Sequence, residues 1–383
     1  MPNPFFSPHI ALFGQNARSL LVNFLIEKQY NKALVITDAN LFKLGITEKL
    51  LEVLQQSNLA YAVFTDVEPN PTVKNVHDAF DVFQKEGCDL VITVGGGSPQ
   101  DCGKAVAVLA KNPGDILTYV RDKKKTSSAV DVIAVSTTSG TGSECTYSYV
   151  ITDTETHSKY GCRDIHIQPM IAINDSDLLV GLPKSITAGT GMDALTHAVE
   201  TLIGRQIFPL TRELAFSACR LIFEYLPKAV ENGADVSARD NMAAAQYLAG
   251  LAFGNCGVGL VHSMSHQLSA VFGLPHGLAN AILLPKVIDF EKQNCLPQLG
   301  ELARVLWADE AKVLSDEEGA ALVVRKLNQL SEEVGTSVAL SKLGVSAESL
   351  EMLAEKTLLD GSFGNSARLA SKDEIIAIYQ QVL

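Results

Sequence analysis

The chain has 383 residues, of which 47% are hydrophobic and 19% are charged, a composition typical of a compact globular protein with more than one domain. The formal net charge of −12 argues against a nucleic-acid-binding surface, which needs clustered lysines and arginines. The seven cysteines form no CxxC pair or disulfide framework, and the N-terminal segment has no signal-peptide pattern. We therefore expect a cytoplasmic protein with reduced thiols and no nucleic-acid partner.

The first half of the chain alternates between predicted strands and predicted helices. Apolar runs predict buried strands at 32–37, 60–66, 89–94 and 130–137. Helical patterns lie between them, at 44–58, 73–87 and 99–110. Because buried strands separated by helices form parallel sheets, this half predicts a Rossmann-like α/β domain over residues 1–180.

The second half predicts an all-α domain over residues 181–383. Helical periodicity is clear at 215–233, 238–253 and 318–335. Residues 241–285 contain no charged side chain, which raises the alternative of a membrane-spanning pair of helices. Polar residues such as Gln246, His262 and His266 interrupt this stretch, and its positive flanks are weak, so we favour a buried helix pair and expect no membrane partner.

Two glycine-rich loops follow predicted strands, "GGGSPQD" at 95–101 and "TTSGTGSE" at 137–144. Ser98 is expected to cap the helix after the first loop. Glycines and a helix N-terminus favour a phosphate ligand, although one such loop is equally consistent with a plain tight turn. Two loops at the ends of strands in one sheet fit a dinucleotide, even though neither matches GxGxxG.

Asp38 follows the first predicted strand. A helix cap or turn residue is the simpler interpretation of this position. Its carboxylate would also accept hydrogen bonds from a ribose 2′-hydroxyl and repel a 2′-phosphate, which favours NAD over NADP.

Histidines and one aspartate form a candidate metal site in the second half. Asp193 and His197 are four residues apart and fall on one face of a predicted helix. With His262 and His276 they offer three imidazoles and one carboxylate, a set that suits Fe²⁺ or Zn²⁺. Each histidine alone is more simply a core or surface residue, and spacing alone does not establish that the four converge.

These motifs together, with "GMDALTHAVE", "GLVHSMSHQL" and "LPHGLANAILLP", resemble the iron-dependent (group III) alcohol dehydrogenases, near their lactaldehyde reductase-like and 1,3-propanediol dehydrogenase-like members. The resemblance implies a dehydroquinate synthase-like architecture and a homodimer or higher homo-oligomer. It matches the family's metal ligands to Asp193, His197, His262 and His276, and the histidine beside the nicotinamide to His266. It matches the cofactor contacts to Asp38, Gly96, Gly97, Ser98, Thr137, Thr138 and Lys159.

Three positions depart from the family pattern. Lys286 stands where relatives commonly carry histidine, and Arg163 where many have an apolar residue. The segment "FGNSAR" (363–368) lacks the proline of the usual Asn-Pro-Arg near the C-terminus. None of the three is a predicted metal ligand, but the last concerns the mouth of the substrate pocket.

The resulting hypothesis is a metal-dependent, NAD-linked interconversion of small neutral primary alcohols or diols and aldehydes by hydride transfer, with His266 relaying a proton. The charge-free stretch offers no fixed cation to bind an acidic substrate, and Val150, Phe253 and Val258 are candidate wall residues.

Three alternatives stay open. Glycerol dehydrogenase is a near relative, separable by its substrate. A lyase of the dehydroquinate synthase type needs several basic residues around a phosphorylated acid. A non-catalytic metal- or nucleotide-binding module would need neither turnover nor a substrate pocket. The remaining histidines, predicted to lie on the surface or in loops, are His9, His77, His157 and His166.

Overall fold

The structure is a computed structural model that describes residues 3–156 and 158–383, so His157 lies outside the described residues. The chain divides into two compact units, Phe5–Val180 and Gly181–Leu383. The first has an α/β architecture, and the second is built from helices. The predicted fold class is therefore confirmed.

The first unit contains a six-stranded, fully parallel sheet with the strand order β1-β8-β5-β4-β2-β3. A separate antiparallel hairpin is formed by β6 and β7. The strands are β1 (Ile10–Phe13), β2 (Lys32–Ile36), β3 (Ala60–Phe64), β4 (Leu90–Gly95), β5 (Val132–Ser136), β6 (Ser148–Asp153), β7 (Ser158–Arg163) and β8 (Ile171–Asn174).

Helices cover both faces of this sheet, so its central strands are buried on both sides. Along β2, Leu34 and Ile36 belong to one hydrophobic core, whereas Ala33 and Val35 belong to the other, as the alternation of side chains along a strand requires. The helices are α1 (Leu21–Lys28), α2 (Ala39–Lys43), α3 (Glu48–Gln56), α4 (Val73–Lys85), α5 (Gly97–Leu109) and α6 (Leu117–Val120).

The strand order fixes where the nucleotide-binding candidates lie. Strands β2, β4 and β5 are neighbours, and because they are parallel their carboxyl ends share one edge of the sheet. Asp38, the first glycine loop and the second glycine loop leave β2, β4 and β5 respectively. All three therefore reach the same edge, the usual ligand-binding edge of such sheets.

The structure differs from the sequence prediction at several elements of this unit. The helix predicted over 44–58 is shorter in the structure, where α3 begins only at Glu48, because Gly45 adopts a left-handed φ of 70° in the turn before it. The short helix α2, which precedes this turn, was not predicted. The prediction that Ser98 caps α5 is wrong, since the N-cap is Gly96 and Ser98 lies within the first turn. The short strands β1 and β8 and the hairpin β6–β7 were not predicted.

The second unit contains no strand among its described residues. Its largest hydrophobic core surrounds α7, whose middle is buried on all sides. The helices are α7 (Lys184–Ile203), α8 (Pro209–Glu231), α9 (Val236–Cys256), α10 (Leu260–Phe272), α11 (His276–Glu291), α12 (Leu296–Leu306), α13 (Ala308–Ala311), α14 (Asp316–Glu333), α15 (Leu350–Leu358) and α16 (Lys372–Gln380).

The charge-free stretch forms the end of α9, all of α10 and the start of α11. Among the described residues, no single helix is long and apolar enough to cross a membrane. The pair α9 and α10 meets that test of length and composition only when taken together, and it is bent by 101° at the break between the two helices.

Candidate functional site

Three helices of the second unit carry the predicted metal ligands. Asp193 and His197 lie one turn apart on α7, His262 lies in the first turn of α10, and His276 is the first residue of α11. The approach of α11 to α7 depends on Gly277, where a Cβ atom would lie 2.5 Å from the carbonyl oxygen of Gly189. Glycine is required at such a close backbone contact.

The ligand atoms of Asp193, His262 and His276 lie within 4.8 Å of one another. Oδ1 of Asp193 is 3.7 Å from Nε2 of His262 and 3.7 Å from Nε2 of His276. Ligands that bind a tetrahedral metal at about 2.1 Å are held roughly 3.4 Å apart, so this spacing suits a first-row divalent cation. The structure therefore brings three of the four predicted ligands into one cluster.

Asn280, one turn after His276 on α11, places its amide nitrogen among these three ligands. Its Nδ2 lies 2.6 Å from Asp193 Oδ1, 3.2 Å from His262 Nε2 and 3.1 Å from His276 Nε2. One carboxylate oxygen and two imidazole nitrogens thus surround the electropositive NH2 group of Asn280. A bound cation would be surrounded by electron-rich atoms in the same way. Oδ1 of Asn280 is buried without a hydrogen-bond partner within the part of the chain that the structure describes. The residues present fit a divalent metal ion.

His197, the fourth predicted ligand, lies beside the cluster rather than within it. Its Nε2 is 3.9 Å from Asp193 Oδ1. Its ring stacks on His262, with centroids 4.6 Å apart, and on Phe253, with centroids 4.0 Å apart.

Burial controls the protonation of the cluster. It raises the pKa of the Asp193 carboxyl, an effect that the nearby His197 opposes. Burial also lowers the pKa of His262 well below its usual range, and the neighbouring histidines His197 and His266 lower it further. His262 is therefore neutral at pH 7, and neutral imidazole is the form that binds metals.

Glu200 contacts His262 from the side away from Asp193, and the sequence analysis did not find it. Its Oε2 lies 2.6 Å from His262 Nδ1, and its Oε1 accepts a hydrogen bond of 2.6 Å from the Val261 backbone N–H. Burial raises the pKa of this carboxyl to about 7. The spacing of Asp193, His197 and Glu200 at i, i+4 and i+7, one helical face, was a usable signal.

His266 lies next to the cluster, one turn after His262 on α10. Its ring centroid is 5.9 Å from that of His262 and 5.3 Å from that of His276. Its Nδ1 is hydrogen-bonded to Asp360 Oδ2 at 2.9 Å. Asp360 follows α15 and carried no sequence signal, because it lies far from His266 along the chain.

Asp38 lines a groove in the first unit together with the first glycine loop. The groove has a volume of about 480 Å³, and its lining includes Asp38, Asn40, Asp66, Gly96, Gly97 and Ser98. Oδ1 of Asp38 accepts hydrogen bonds from the backbone N–H groups of Asn40 at 2.9 Å and Leu41 at 3.0 Å. Asp38 therefore caps α2, and the cap turns the carboxylate toward the groove edge.

The two glycine loops are in van der Waals contact. A Cβ on Gly96 would lie 3.2 Å from Thr138 Oγ1, and a Cβ on Gly97 would lie 3.2 Å from Thr141 Cγ2. The buried hydroxyls of Thr138 and Ser139 have no hydrogen-bond partner among the described residues. Hydroxyl groups left without partners beside a helix N-terminus suit phosphate oxygens.

The other predicted cofactor contacts lie around these loops. Buried Thr137 donates its backbone N–H to the carbonyl of Gly95, at 3.1 Å. Nζ of Lys159 donates to Asn70 Oδ1 at 2.7 Å, and the Asn70 backbone N–H donates to Ser98 Oγ at 3.1 Å. Burial lowers the pKa of Lys159 to about 8.

A buried pair on α5, Asp101 and Lys104, holds the second glycine loop in place. Lys104 Nζ donates to the carbonyl oxygens of Ser143 at 2.6 Å and Ser148 at 2.8 Å. The Asp101 carboxylate accepts from the Ser143 hydroxyl and the Val150 backbone N–H, both at 2.9 Å. Neither Asp101 nor Lys104 was predicted from the sequence to contact this loop.

The three candidate wall residues lie in different elements. Val150 is in β6 of the first unit, and Phe253 lies near the end of α9 against His197. Val258 lies between α9 and α10, where its carbonyl accepts from Asn365 Nδ2 at 3.3 Å. The same Nδ2 donates to the carbonyl of Cys256, so Asn365, in the segment that lacks the family proline, ties down this turn.

Two family models match this chain. A model described as "Iron-containing alcohol dehydrogenase" matches residues 8–176, and "Fe-containing alcohol dehydrogenase family, C-terminal" matches residues 187–383. The chain belongs to the iron-containing alcohol dehydrogenase family. The resemblance found in the sequence motifs is thereby confirmed.

Three relatives named as dehydrogenases or reductases align with nearly the whole chain. The chain is 39% identical over 376 residues to 1,3-propanediol dehydrogenase of Klebsiella pneumoniae, covering 98% of this chain and 97% of that protein. It is 37% identical to NAD-dependent methanol dehydrogenase of Bacillus methanolicus and 36% identical to lactaldehyde reductase of Escherichia coli, with 99% of both chains covered in each case.

A solved structure of the family has the same fold. The crystal structure of a 1,3-propanediol oxidoreductase superposes with a TM-score of 0.96 at 38% identity, and the match covers 100% of both chains. The iron-containing alcohol dehydrogenase fold therefore extends over the entire protein, including the helices that carry Asp193, His262 and His276.

Proposed function

We propose that this protein is a metal-dependent, NAD-linked alcohol dehydrogenase that interconverts small neutral primary alcohols or diols and their aldehydes. The observation that carries the proposal is the buried cluster of Asp193, His262 and His276 around the amide nitrogen of Asn280. Family membership and relatives named as dehydrogenases support it.

Asp193, His262 and His276, joined by His197, are proposed to hold Fe²⁺, with Zn²⁺ as the alternative. The donor set of one carboxylate and imidazoles, without thiolates, suits either ion. A divalent cation held there would act as a Lewis acid toward the oxygen of an alcohol or aldehyde. Asp193 contributes the negative charge that offsets the cation inside a buried site.

The proposed dinucleotide site uses Asp38 and the two glycine loops, with contacts at Gly96, Gly97, Ser98, Thr137, Thr138 and Lys159. The partnerless hydroxyl of Thr138 and the N-terminus of α5 would bind phosphate oxygens. The Asp38 carboxylate disfavours a 2′-phosphate, which selects NAD. NAD, when bound, supplies the hydride acceptor for alcohol oxidation.

His266 is proposed as the residue that moves the proton. Its Nδ1 is held by Asp360, which leaves Nε2 to exchange a proton with the substrate hydroxyl or with solvent. With 22% of its side chain exposed, His266 can be reached by solvent, which a proton relay requires.

The substrate class is inferred from the stretch that includes α10 and the first part of α11, which has no charged side chain. Residues 241–285 contain no lysine or arginine, so they provide no cation for a carboxylate or phosphate. Phe253 and Val258, with Val150, are the proposed wall residues for a small neutral substrate. The names of the relatives, which include methanol, propanediol and lactaldehyde enzymes, support this class.

Three further points belong to the same proposal. Residues 1–180 are the NAD-binding domain, and residues 181–383 are the metal-binding and catalytic domain. The protein works in the cytoplasm. It assembles as a homodimer or a higher homo-oligomer.

The test is NADH production by protein loaded anaerobically with Fe²⁺, with 1-propanol, 1,3-propanediol and glycerol as substrates. We expect iron-dependent NADH formation that is lost in His262→Ala and kept in His9→Ala, a control at an exposed histidine. A preference for glycerol would identify a glycerol dehydrogenase. Bound metal and NAD without NADH from any alcohol would refute the proposal and favour a lyase of the dehydroquinate synthase type.

A further inference from the structure

Glu200 is a buried carboxylate on α7, only 1% exposed, seven residues after Asp193. It faces the beginning of α10. Its Oε1 accepts the backbone N–H of Val261 at 2.6 Å, and the Gly259 backbone N–H is a further donor to this carboxylate. A Cβ on Gly259 would lie 3.2 Å from Oε1, so the glycine allows the carboxylate to sit close against the N-terminus of α10.

The second oxygen of Glu200 meets His262, at 2.6 Å from Nδ1. The opposite ring nitrogen, Nε2, lies 3.2 Å from Asn280 Nδ2. An amide nitrogen donates and does not accept, and Nδ2 also lies 2.6 Å from the Asp193 carboxylate. In the contact with Asn280, Nε2 of His262 can therefore only accept, which puts the ring proton on Nδ1, the nitrogen that faces Glu200.

We propose that Glu200 is a positioning residue of the metal centre: it holds the His262 ring and its Nδ1–H tautomer so that the Nε2 lone pair faces Asp193 and His276. This inference rests on the proposed function, since it assigns a role toward the metal that the cluster would hold. Glu200 acts through its contact with His262. A carboxylate behind a histidine ligand typically raises metal affinity 10–100-fold, because it fixes the tautomer and makes the imidazole more basic.

Glu200→Gln is the informative substitution, because it preserves size. With its amide nitrogen toward His262, glutamine donates to Nδ1 and forces the proton onto Nε2, where a metal would bind. With its amide oxygen toward His262, its nitrogen faces the Val261 N–H, and two donors oppose each other. The first orientation satisfies both neighbours only when His262 takes the Nε2–H tautomer, and the second leaves the Val261 N–H without its acceptor.

Glu291 provides a matched control. It is also 1% exposed, it lies on α11 of the same unit, and burial raises its pKa to about 8. Its carboxylate accepts from the backbone N–H of Arg368 at 3.1 Å, and it has no hydrogen bond to a histidine among the described residues. Glu291→Gln removes the same buried group without touching the ligand set.

The experiment measures Zn²⁺ affinity of the metal-free full-length protein by competition with a chromogenic chelator. We expect Glu200→Gln to bind Zn²⁺ about 10–100-fold more weakly than wild type, and Glu291→Gln to bind it within about threefold of wild type. Unchanged affinity in Glu200→Gln overturns the inference. An equal loss in both variants also overturns it, because the cause would then be general destabilisation.

A second measurement does not depend on metal binding. In protein labelled with ¹⁵N-histidine, long-range ¹H–¹⁵N correlations report which nitrogen of each ring carries the proton. We expect His262 to be protonated on Nδ1 in wild type and in Glu291→Gln, and on Nε2 in Glu200→Gln. An Nε2–H tautomer in wild type overturns the inference, as does an unchanged tautomer together with unchanged Zn²⁺ affinity in Glu200→Gln.

These outcomes are separable from failure of the proposed function. If wild type binds Zn²⁺ tightly but forms no NADH with any alcohol, the proposed reaction is wrong and the role of Glu200 stands. If wild type forms NADH and Glu200→Gln retains full metal affinity, the reaction stands and the role of Glu200 is wrong.

Discussion

At the scale of single residues, the helical unit buries the carboxyl group of Glu291, which is 1% exposed. Burial raises the pKa of this group to about 8. A raised pKa means that the folded state binds a proton that the unfolded state has already released. Stability supported by such a group is therefore lost as the pH rises toward the folded-state pKa. Repulsion from Glu200 also raises the pKa of Glu291, but Glu291 makes no hydrogen bond to a metal-ligand candidate among the described residues.

Glu291→Gln is predicted to reduce the pH dependence of stability. Between about pH 5 and pH 8 the unfolded Glu291 is ionised and the folded one is protonated, so wild type should lose stability with rising pH relative to Glu291→Gln. Urea unfolding of the metal-free protein at pH 5, 6.5 and 8 measures this difference. Glu333→Gln, at an exposed position of α14, is the control and should follow wild type. A gap between wild type and Glu291→Gln that stays constant with pH would contradict the prediction.

At the scale of elements, the metal cluster depends on how closely helices approach one another. Asp193 is on α7 and His276 is on α11, and the contact between these helices is made where Gly277 meets the backbone of Gly189. Backbone atoms cannot rotate away as a flexible side chain can. The close approach of α7 and α11 therefore depends on residue 277 having no Cβ atom.

Gly277→Ala is predicted to separate α7 from α11. Its Cβ would lie 2.5 Å from Gly189 O, and overpacking of this kind costs about 1–3 kcal/mol. We expect lower stability in urea and weaker Zn²⁺ binding in the same variant, because Asp193 and His276 move apart. Gly364→Ala is the control, since a Cβ there meets nothing within 4 Å. Unchanged stability in Gly277→Ala would show that the helices tolerate the extra carbon.

At the scale of the whole molecule, the candidate metal cluster and the candidate nucleotide groove belong to different compact units. Asp193, His262 and His276 lie within Gly181–Leu383, whereas Asp38 and both glycine loops lie within Phe5–Val180. Bound metal should therefore stabilise helices of Gly181–Leu383, and bound NAD should stabilise elements of Phe5–Val180. A ligand present at 100 times its Kd stabilises the state that binds it by about 2.7 kcal/mol.

Metal and NAD are predicted to protect different amides from hydrogen exchange. Zn²⁺ should slow exchange in α7, α10 and α11, and NAD should slow exchange at 38–41, 96–98 and 137–141, each by up to about 100-fold when the ligand is at 100 times its Kd. Mass spectrometry of the exchanged peptides measures both effects. His262→Ala should lose the protection by Zn²⁺ and retain that by NAD. Protection of the glycine loops by Zn²⁺ alone would argue against this assignment.

The sequence by itself determined the fold class, the two glycine loops and the family, because these depend on patterns that are local in the chain. Strand and helix periodicity span a few residues, and "GGGSPQD" or "GMDALTHAVE" are contiguous motifs. Local patterns were less reliable at element ends. Ser98 has the chemistry of an N-cap, yet Gly96 holds that position, because packing against the second glycine loop fixes where the turn enters α5.

Only the tertiary structure decided which side chains support the predicted ligands. Asn280 reaches Asp193 across 87 positions, Glu200 reaches His262 across 62, and Asp360 reaches His266 across 94. A hydrogen bond depends on distance in space, and no local periodicity records a partner that far away along the chain. The ligand candidates could therefore be found from residue type and spacing. Spacing also places Glu200 on the helical face of Asp193 and His197, but its contact with His262, like the contacts of Asn280 and Asp360, became visible only in the packed structure.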